Sequence, residues 1–65
     1  MTQDQFHRET EDYMTRNEQD ARARAAEYNA NGVEGDTIVA AKFGEHWCLM
    51  LGKAFAFTQA LGIGQ

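Results

Sequence analysis

The residues best suited to chemistry in this 65-residue chain are two histidines and one cysteine. His46 and Cys48 are two positions apart, and on a helix, where we expect them, that spacing points them to different sides. Such a pair suits neither a nucleophile with its base nor a shared metal ion. No second cysteine is present for a disulfide or a zinc pair, and the chain contains no serine. The sequence therefore predicts no metal site and no catalytic thiol.

Acidic side chains near the N-terminus form a second group to consider. Glu9, Glu11 and Asp12 are close in sequence, but an exposed carboxylate cluster without a second carboxylate in a cleft does not support general acid–base catalysis. The glycines match neither the dinucleotide fingerprint nor the phosphate-loop spacing. We therefore predict a protein that is not an enzyme and that needs no cofactor.

Cationic and aromatic side chains remain as candidates for ligand binding. Arginine and lysine can pair with phosphates, and tyrosine or tryptophan can stack on bases, if association brings them together. The alternative is that these arginines form exposed ion pairs on helices and that the aromatic residues belong to the core. The candidate ligand-binding residues are Tyr13, Arg16, Arg22, Lys42 and His46, with Arg24, Tyr28, Trp47 and Lys53 as further groups of the same types.

The net charge of −4 arises entirely from the first 20 residues, which hold six acids against two arginines. The rest of the chain is neutral and offers no basic face, so the sequence argues against binding to duplex nucleic acid. The acidic N-terminal segment has two interpretations. It is a solvated helix face, or it is a surface that binds a partner or mimics DNA.

The pattern of turn residues predicts an all-α fold. Proline is absent, which favours uninterrupted helices, and the only dense turn signal lies at 29–36, where Asn and Gly can close one helix and Asp36 can cap the next. We predict one domain over 1–65, an antiparallel two-helix hairpin with helical regions at 3–28 and 37–61. Capping patterns begin at Thr2 and Thr15. They favour a break near 14–17, although a continuous first helix fits nearly as well.

The predicted second helix is apolar on two faces. Phe43, Trp47 and Met50 begin a seam with alternating steps of four and three, and a row of small residues recurs every four positions from Ala40 to Ala60. One thin first helix cannot cover both faces, and a chain this short is marginal as a monomer. We therefore predict a homo-oligomeric helical bundle. The predicted interface comprises Ala40, Gly44, Cys48, Leu51, Gly52, Phe55 and Ala56.

The distribution of polar residues predicts no signal peptide and no membrane span. The first 20 residues are strongly polar, and the apolar stretch from Ile38 to Ile63 is interrupted by charged residues. A single free cysteine is typical of a reducing compartment, so we expect a cytoplasmic protein that does not bind membranes.

Three short segments of the chain carry a family resemblance: Ala41-Lys42, Leu49-Met50 and Lys53-Ala54-Phe55. They are similar to the small–Lys opening, the apolar–Met run and the basic–Ala close of the second helix in a phage-encoded group of helical-hairpin sponges, the anti-CBASS and anti-Thoeris group. The resemblance covers about a third of the chain. It implies sequestration of a cyclic nucleotide immune messenger in pockets between subunits. It also implies that Lys42 contacts phosphate and that Tyr13 stacks, in the cytoplasm of an infected bacterium.

Two functional hypotheses follow from the sequence. The first is a non-enzymatic phage-type protein that sequesters a cyclic nucleotide or a similar phosphate-bearing molecule. The second is a helical hairpin that binds a host protein, as an inhibitor of a regulator or as an assembly adaptor.

Overall fold

The computed structural model describes residues 1–62 and shows a mixed fold of helices and strands. An antiparallel two-stranded sheet occupies the region where we predicted a second helix, so the prediction of an all-α hairpin is wrong. In chain order the elements are α1 Gln3–Thr10, α2 Glu18–Asn31, β1 Ile38–Phe43, β2 His46–Leu51 and α3 Gly52–Leu61.

The sheet forms because two apolar runs flank a two-residue turn. β1 begins with the β-branched pair Ile38 and Val39, residues enriched in strands. Gly44 adopts a φ of 63°, and glycine at the first central position is the signature of the type II′ turn that joins paired strands tightly. The register places Ile38 opposite Leu51 and Phe43 opposite His46.

The helical interpretation was wrong because its main pattern fits two structures. Residues four apart lie on one side of a helix, but they also lie on one face of a strand, where side chains alternate with a period of two. The row of small residues from Ala40 onward therefore does not separate helix from strand.

In the structure, that row does not form a continuous surface. Ala40 pairs with Leu49 and Ala41 pairs with Cys48, so Ala40 and Cys48 point to opposite faces of the sheet. Gly44 lies in the turn between the strands. The predicted helical interface is corrected accordingly. Its members are distributed over β1 (Ala40), the turn (Gly44), β2 (Cys48, Leu51) and α3 (Gly52, Phe55, Ala56).

The two N-terminal helices begin and end at residues with suitable chemistry. Thr2 caps α1 by accepting a hydrogen bond from the Gln5 amide, as its capping pattern predicts. α2 is capped by Asn17 rather than Thr15, and the seven residues between the helices break the first helical region. Gly32, with a φ of 85°, closes α2.

The core lies between α1, α2 and one face of the sheet. Phe6 of α1 is completely buried, and its ring meets that of Tyr28 edge-on at 5.1 Å between centroids. We call the sheet face that carries Ile38, Leu49 and Leu51 the inner face, because these side chains pack into the core beside Ala25 of α2. The core cluster comprises Phe6, Ala25, Val33, Ile38, Leu49 and Leu51.

The last helix, α3, contacts both strands but buries no side chain fully. Its start is held by Asp36, whose carboxylate accepts hydrogen bonds from the amides of Thr37 at 2.7 Å and Lys53 at 3.0 Å. Gly52 permits this approach, because a Cβ there would lie 3.0 Å from the Asp36 Oδ1. Among the described residues, no helix combines the length and apolar character needed to cross a membrane.

Candidate anion-binding site at the end of the hairpin

Four of the five predicted ligand-binding residues lie around Trp47 at the turn end of the sheet. Backbone hydrogen bonds fix this arrangement: the Thr15 amide donates to the Trp47 carbonyl at 3.0 Å, and the Trp47 amide donates to the Thr15 carbonyl at 2.6 Å. The connection between α1 and α2 is thereby pinned along the outer edge of β2. Arg16, the next residue, is carried to the same end of the hairpin.

Arg22 and Lys42 flank Trp47 on the inner face. The Arg22 guanidinium lies over the indole, 6.0 Å from the ring centroid, in a cation–π contact. Lys42 is the cross-strand partner of Trp47, so the two side chains leave the same face of the sheet. Trp47 is half-buried, whereas both cations are exposed. We call Arg22, Lys42 and Trp47 the Trp47 site.

Arg16 and His46 form a second pair at the same end. The Arg16 Nε donates to the His46 Nε2 over 3.5 Å, a long hydrogen bond. His46 precedes Trp47 and therefore points to the opposite face of the sheet. This pair adjoins the Trp47 site across the edge of β2 but does not share its face.

Tyr13 lies apart from these four residues. Its hydroxyl donates a hydrogen bond to the Asp20 carboxylate, and the Arg24 guanidinium lies 4.9 Å from the centre of its ring. Burial, followed by the hydrogen bond and charge of Asp20, raises the pKa of Tyr13 to about 12. The structure thus uses Tyr13 to join the inter-helix connection to α2, not to line the Trp47 site.

Two carboxylates balance part of the positive charge at this end. Glu18 pairs with Arg22 at 2.7 Å across one helical turn, and Glu45 occupies the strand turn. Both members of the Glu18–Arg22 pair are at least half exposed, and an exposed pair of this kind contributes little stability. A stronger anion can therefore compete with Glu18 for the Arg22 guanidinium, which binds phosphate through parallel N–H donors.

The chemistry of His46 and Cys48 differs from the sequence interpretation in one respect. On a strand, residues two apart share a face, so these side chains lie on the same side of β2 and not on different sides. No hydrogen bond joins them in the described part of the chain. Burial raises the pKa of the Cys48 thiol, which disfavours the nucleophilic thiolate.

Metal ligands do not gather anywhere in residues 1–62: no three histidine, cysteine or acidic side chains are placed to hold an ion together. A shallow pocket of about 190 Å³ lies elsewhere, between α1 and α2, and is bordered by Glu9, Arg24, Glu27 and Tyr28. Its two carboxylates make it a poor place for an anion.

No protein-family model, no curated protein and no solved structure matches the chain.

Trp47 is the important group that the sequence interpretation placed wrongly. The apolar seam assigned it to a helix interface, whereas the structure leaves it partly exposed, with the Arg22 guanidinium over its ring and Lys42 opposite it in the sheet. A usable signal was present: Gly44 and Glu45 separate two apolar runs, the first of which begins with the β-branched pair Ile38 and Val39, as in a hairpin with a two-residue turn. Reading that turn would have paired Trp47 with Lys42.

Proposed function

We propose that this chain is a non-enzymatic binding protein that takes a small phosphate-bearing ligand with an aromatic ring, of the nucleotide class, at the Trp47 site. The observation that carries the proposal is the position of the Arg22 guanidinium 6.0 Å from the centre of the Trp47 indole, with Lys42 opposite Trp47 in the sheet. Two cations supply phosphate contacts, and the indole between them supplies a stacking surface.

Local charge supports an anionic ligand even though the whole chain is acidic. The end of the hairpin carries Arg16, Arg22 and Lys42 against Glu18 and Glu45, three cations to two carboxylates. The remaining residues hold three cations and eight carboxylates, which accounts for the net charge of −4. An anion approaching the protein is therefore attracted to this end and repelled from the others.

The finer prediction, that the ligand is a cyclic nucleotide messenger of bacterial immunity, rests on the resemblance to the hairpin sponges. The segments that carry it lie on strands and at the start of α3, so the fold lends it no support. It stays a prediction, as do the expected cytoplasmic location and the absence of enzymatic activity. Cyclic nucleotides accordingly belong among the ligands to be tested.

Fluorescence of Trp47, the only tryptophan, provides the direct test. We expect adenosine monophosphate or a cyclic dinucleotide to change its emission on titration, and adenosine, which lacks the phosphate, to change it far less. Arg22→Ala is expected to weaken binding by about 1–3 kcal/mol, the scale of a lost charged hydrogen bond. Glu18→Gln is expected to strengthen binding, because it releases the Arg22 guanidinium.

A matched control is available in Arg8→Ala, which removes the same charge from the exposed surface of α1. Equal losses of affinity in Arg8→Ala and Arg22→Ala would indicate a general charge effect and not a site. If calorimetry and fluorescence showed no binding of any phosphate-bearing probe up to millimolar concentration, the proposed function would be wrong.

Protein binding is the second candidate function, and one observation favours it. α3 carries apolar side chains at six of its ten positions, and two of the large ones are well exposed, Phe57 at 66% and Leu61 at 59%. An exposed apolar helix fits the apolar groove of another protein, and Lys53 would favour an acidic rim around that groove. A partner recovered from a bacterial lysate by the wild type, but lost with Phe57→Ser, would support this function. Equal recovery by both proteins would count against it.

A further inference from the structure

The hydrogen bonding of β1 shows which of its backbone groups face away from β2. The Asn29 side chain binds both backbone groups of Ile38: its amide donates to the Ile38 carbonyl at 2.9 Å, and its oxygen accepts from the Ile38 amide at 2.7 Å. Ile38 therefore turns its N–H and C=O away from β2. Because this direction alternates along an antiparallel strand, Ala40 and Lys42 also face outward, while Val39, Ala41 and Phe43 pair with β2.

The opposite edge of the sheet confirms this alternation. Trp47, the partner of Lys42, turns both backbone groups outward to Thr15. The edge of β2 is thus partly closed by the inter-helix connection, and the edge of β1 is closed only at Ile38. Within residues 1–62, the backbone groups of Ala40 and Lys42 have no hydrogen-bond partner outside the sheet.

A groove lies beside part of this open edge. A groove of about 360 Å³ runs between α2 and β1, bordered by Ala25 and Ala26 on one side and Val39 and Ala40 on the other. The edge lacks proline and a bulge, two devices that proteins use to prevent strand addition. A two-stranded sheet also has fewer strands than a sheet usually needs for independent stability.

We propose that β1 pairs antiparallel with β1 of a second copy of this chain, about a two-fold axis through Ala41. Ala40 then faces Lys42 of the second copy, and Lys42 faces its Ala40. Each of these two pairs exchanges two backbone hydrogen bonds, four in all, and the two hairpins merge into one four-stranded sheet. Such an interface is isologous, because each copy offers the same edge.

This register is favoured over its neighbours by the residues themselves. One alternative register sets Ala40 opposite Ala40 of the second copy. It requires hydrogen bonds from the backbone of Ile38, whose N–H and C=O already bond to the Asn29 side chain. The other alternative register sets Lys42 directly against Lys42, and like charges in that position are destabilising. In the proposed register each lysine faces an alanine instead. The next outward-facing residue beyond Ala40 is Ile38, which would lie opposite Gly44 of the second copy. Because Gly44 lies in the turn between the strands, the pairing ends there.

The size of the contact predicts a weak dimer. Stable complexes bury about 800 Å² on each partner, and a strand pair of this length reaches that area only with help from side chains. Val39 and Phe43, half-buried on the sheet face opposite the core, would meet across the new interface. We therefore expect dissociation constants in the micromolar to millimolar range, with rapid exchange.

Hydrogen exchange measured by NMR tests the edge without any mutation. The amides of Ala40 and Lys42 should exchange rapidly in dilute protein and become protected as the concentration approaches millimolar. Sedimentation velocity over the same range should show monomers converting to dimers. A monomer at all concentrations, with both amides exchanging rapidly throughout, would overturn the proposal.

Two variants sharpen the test. Ala40→Pro removes one outward N–H without taking a donor from the β1–β2 ladder, and it should abolish the dimer while circular dichroism shows a folded chain. If that variant fails to fold, mixing wild type with Lys42→Glu replaces it. In the proposed register the two position-42 side chains are diagonal neighbours, so mixed dimers should exceed the share expected from random pairing, which in an equal mixture is already twice that of either pure dimer. Lys53→Glu, with the same charge change on α3, should show no such preference, and equal behaviour of the two variants would contradict the register.

Discussion

Two helices lie against the same sheet, and they behave oppositely. α2 is rich in charged residues and alanine, yet it buries Ala21 and Ala25 completely or nearly so. Among residues 1–62, α3 is the most apolar helix, yet none of its side chains is fully buried. Apolar content alone therefore does not decide which helix builds the core. Short side chains at helical spacing let the α2 backbone approach the sheet closely, and this geometry decides it.

The two helices also differ in how they are anchored. α2 carries its own cap at Asn17, ends at Gly32 and holds β1 through Asn29. α3 has no capping hydrogen bond from Leu51, the residue before it, and relies on the carboxylate of Asp36 at its start. Contacts with the sheet thus stabilise α2 along its length, whereas α3 is tied mainly at one end.

We expect the largest loss of stability from a mutation in the buried core, compared with the same mutation at an exposed position on α3. Phe6→Ala empties a fully buried site and should lower the free energy of unfolding by about 3–5 kcal/mol, enough to unfold a chain of this size. Phe57→Ala makes the same change at a residue that is 66% exposed, and it should cost less than about 0.5 kcal/mol. Urea denaturation followed by circular dichroism measures both. Similar losses in the two variants would show that α3 is packed as tightly as α1.

The link between α2 and β1 should give the next largest effect. Asn29→Ala removes two hydrogen bonds to the backbone of Ile38 and should lower the free energy of unfolding by about 1–3 kcal/mol, since it leaves that backbone without partners. Asn31→Ala, an exposed position at the end of the same helix, serves as the control. Equal stability of the two variants would remove Asn29 from this role.

A smaller effect is expected at the start of α2. Asn17→Ala deletes the side-chain oxygen that accepts from the amides of Gln19 and Asp20, and should lower the free energy of unfolding by about 1 kcal/mol. Asn17→Asp keeps an acceptor in place and should restore most of the loss. Thermal unfolding that is unchanged in Asn17→Ala would mean that contacts with the sheet, rather than the cap, hold α2.

The smallest effect concerns the start of α3 and depends on pH. Hydrogen bonds from the Lys53 and Thr37 amides lower the pKa of the Asp36 carboxyl group below its usual value. A lowered pKa in the folded state means that this stabilisation is present above the unfolded pKa and is lost as the pH falls through the folded pKa. Asp36→Asn should therefore be slightly less stable than the wild type at neutral pH. The difference should vanish in acid, and a difference that persists there would rule out the carboxylate charge as its cause.

Local signals accounted for some of the fold. The cap at Thr2 and the closing glycine of α2 were predicted from neighbouring residues alone, because capping depends on one side chain and a few amides. The second half was predicted wrongly, since its four-residue period fits a helix as well as a strand. The Gly44 turn and the β-branched pair Ile38 and Val39 were the local features that favoured strands.

The candidate site was predictable in residue type but not in arrangement. Arginine, lysine and histidine were identified by their chemistry, and the structure gathers Arg16, Arg22, Lys42 and His46 at one end of the sheet. Tyr13 was equally suitable by type, yet it is engaged with Asp20 and Arg24. Residue type does not reveal which side chains already have partners.

By itself, the sequence determined the cap at Thr2, the acidic N-terminal segment and the supply of cations and aromatic rings, because these depend on residue type or on residues close together in the chain. Only the tertiary structure decided that Lys42 lies opposite Trp47 and that Asn29 closes one end of β1. Both outcomes depend on strand register and on contacts between distant segments. Pairings of that kind are selected by the packing of the whole core and not by the preferences of any local segment.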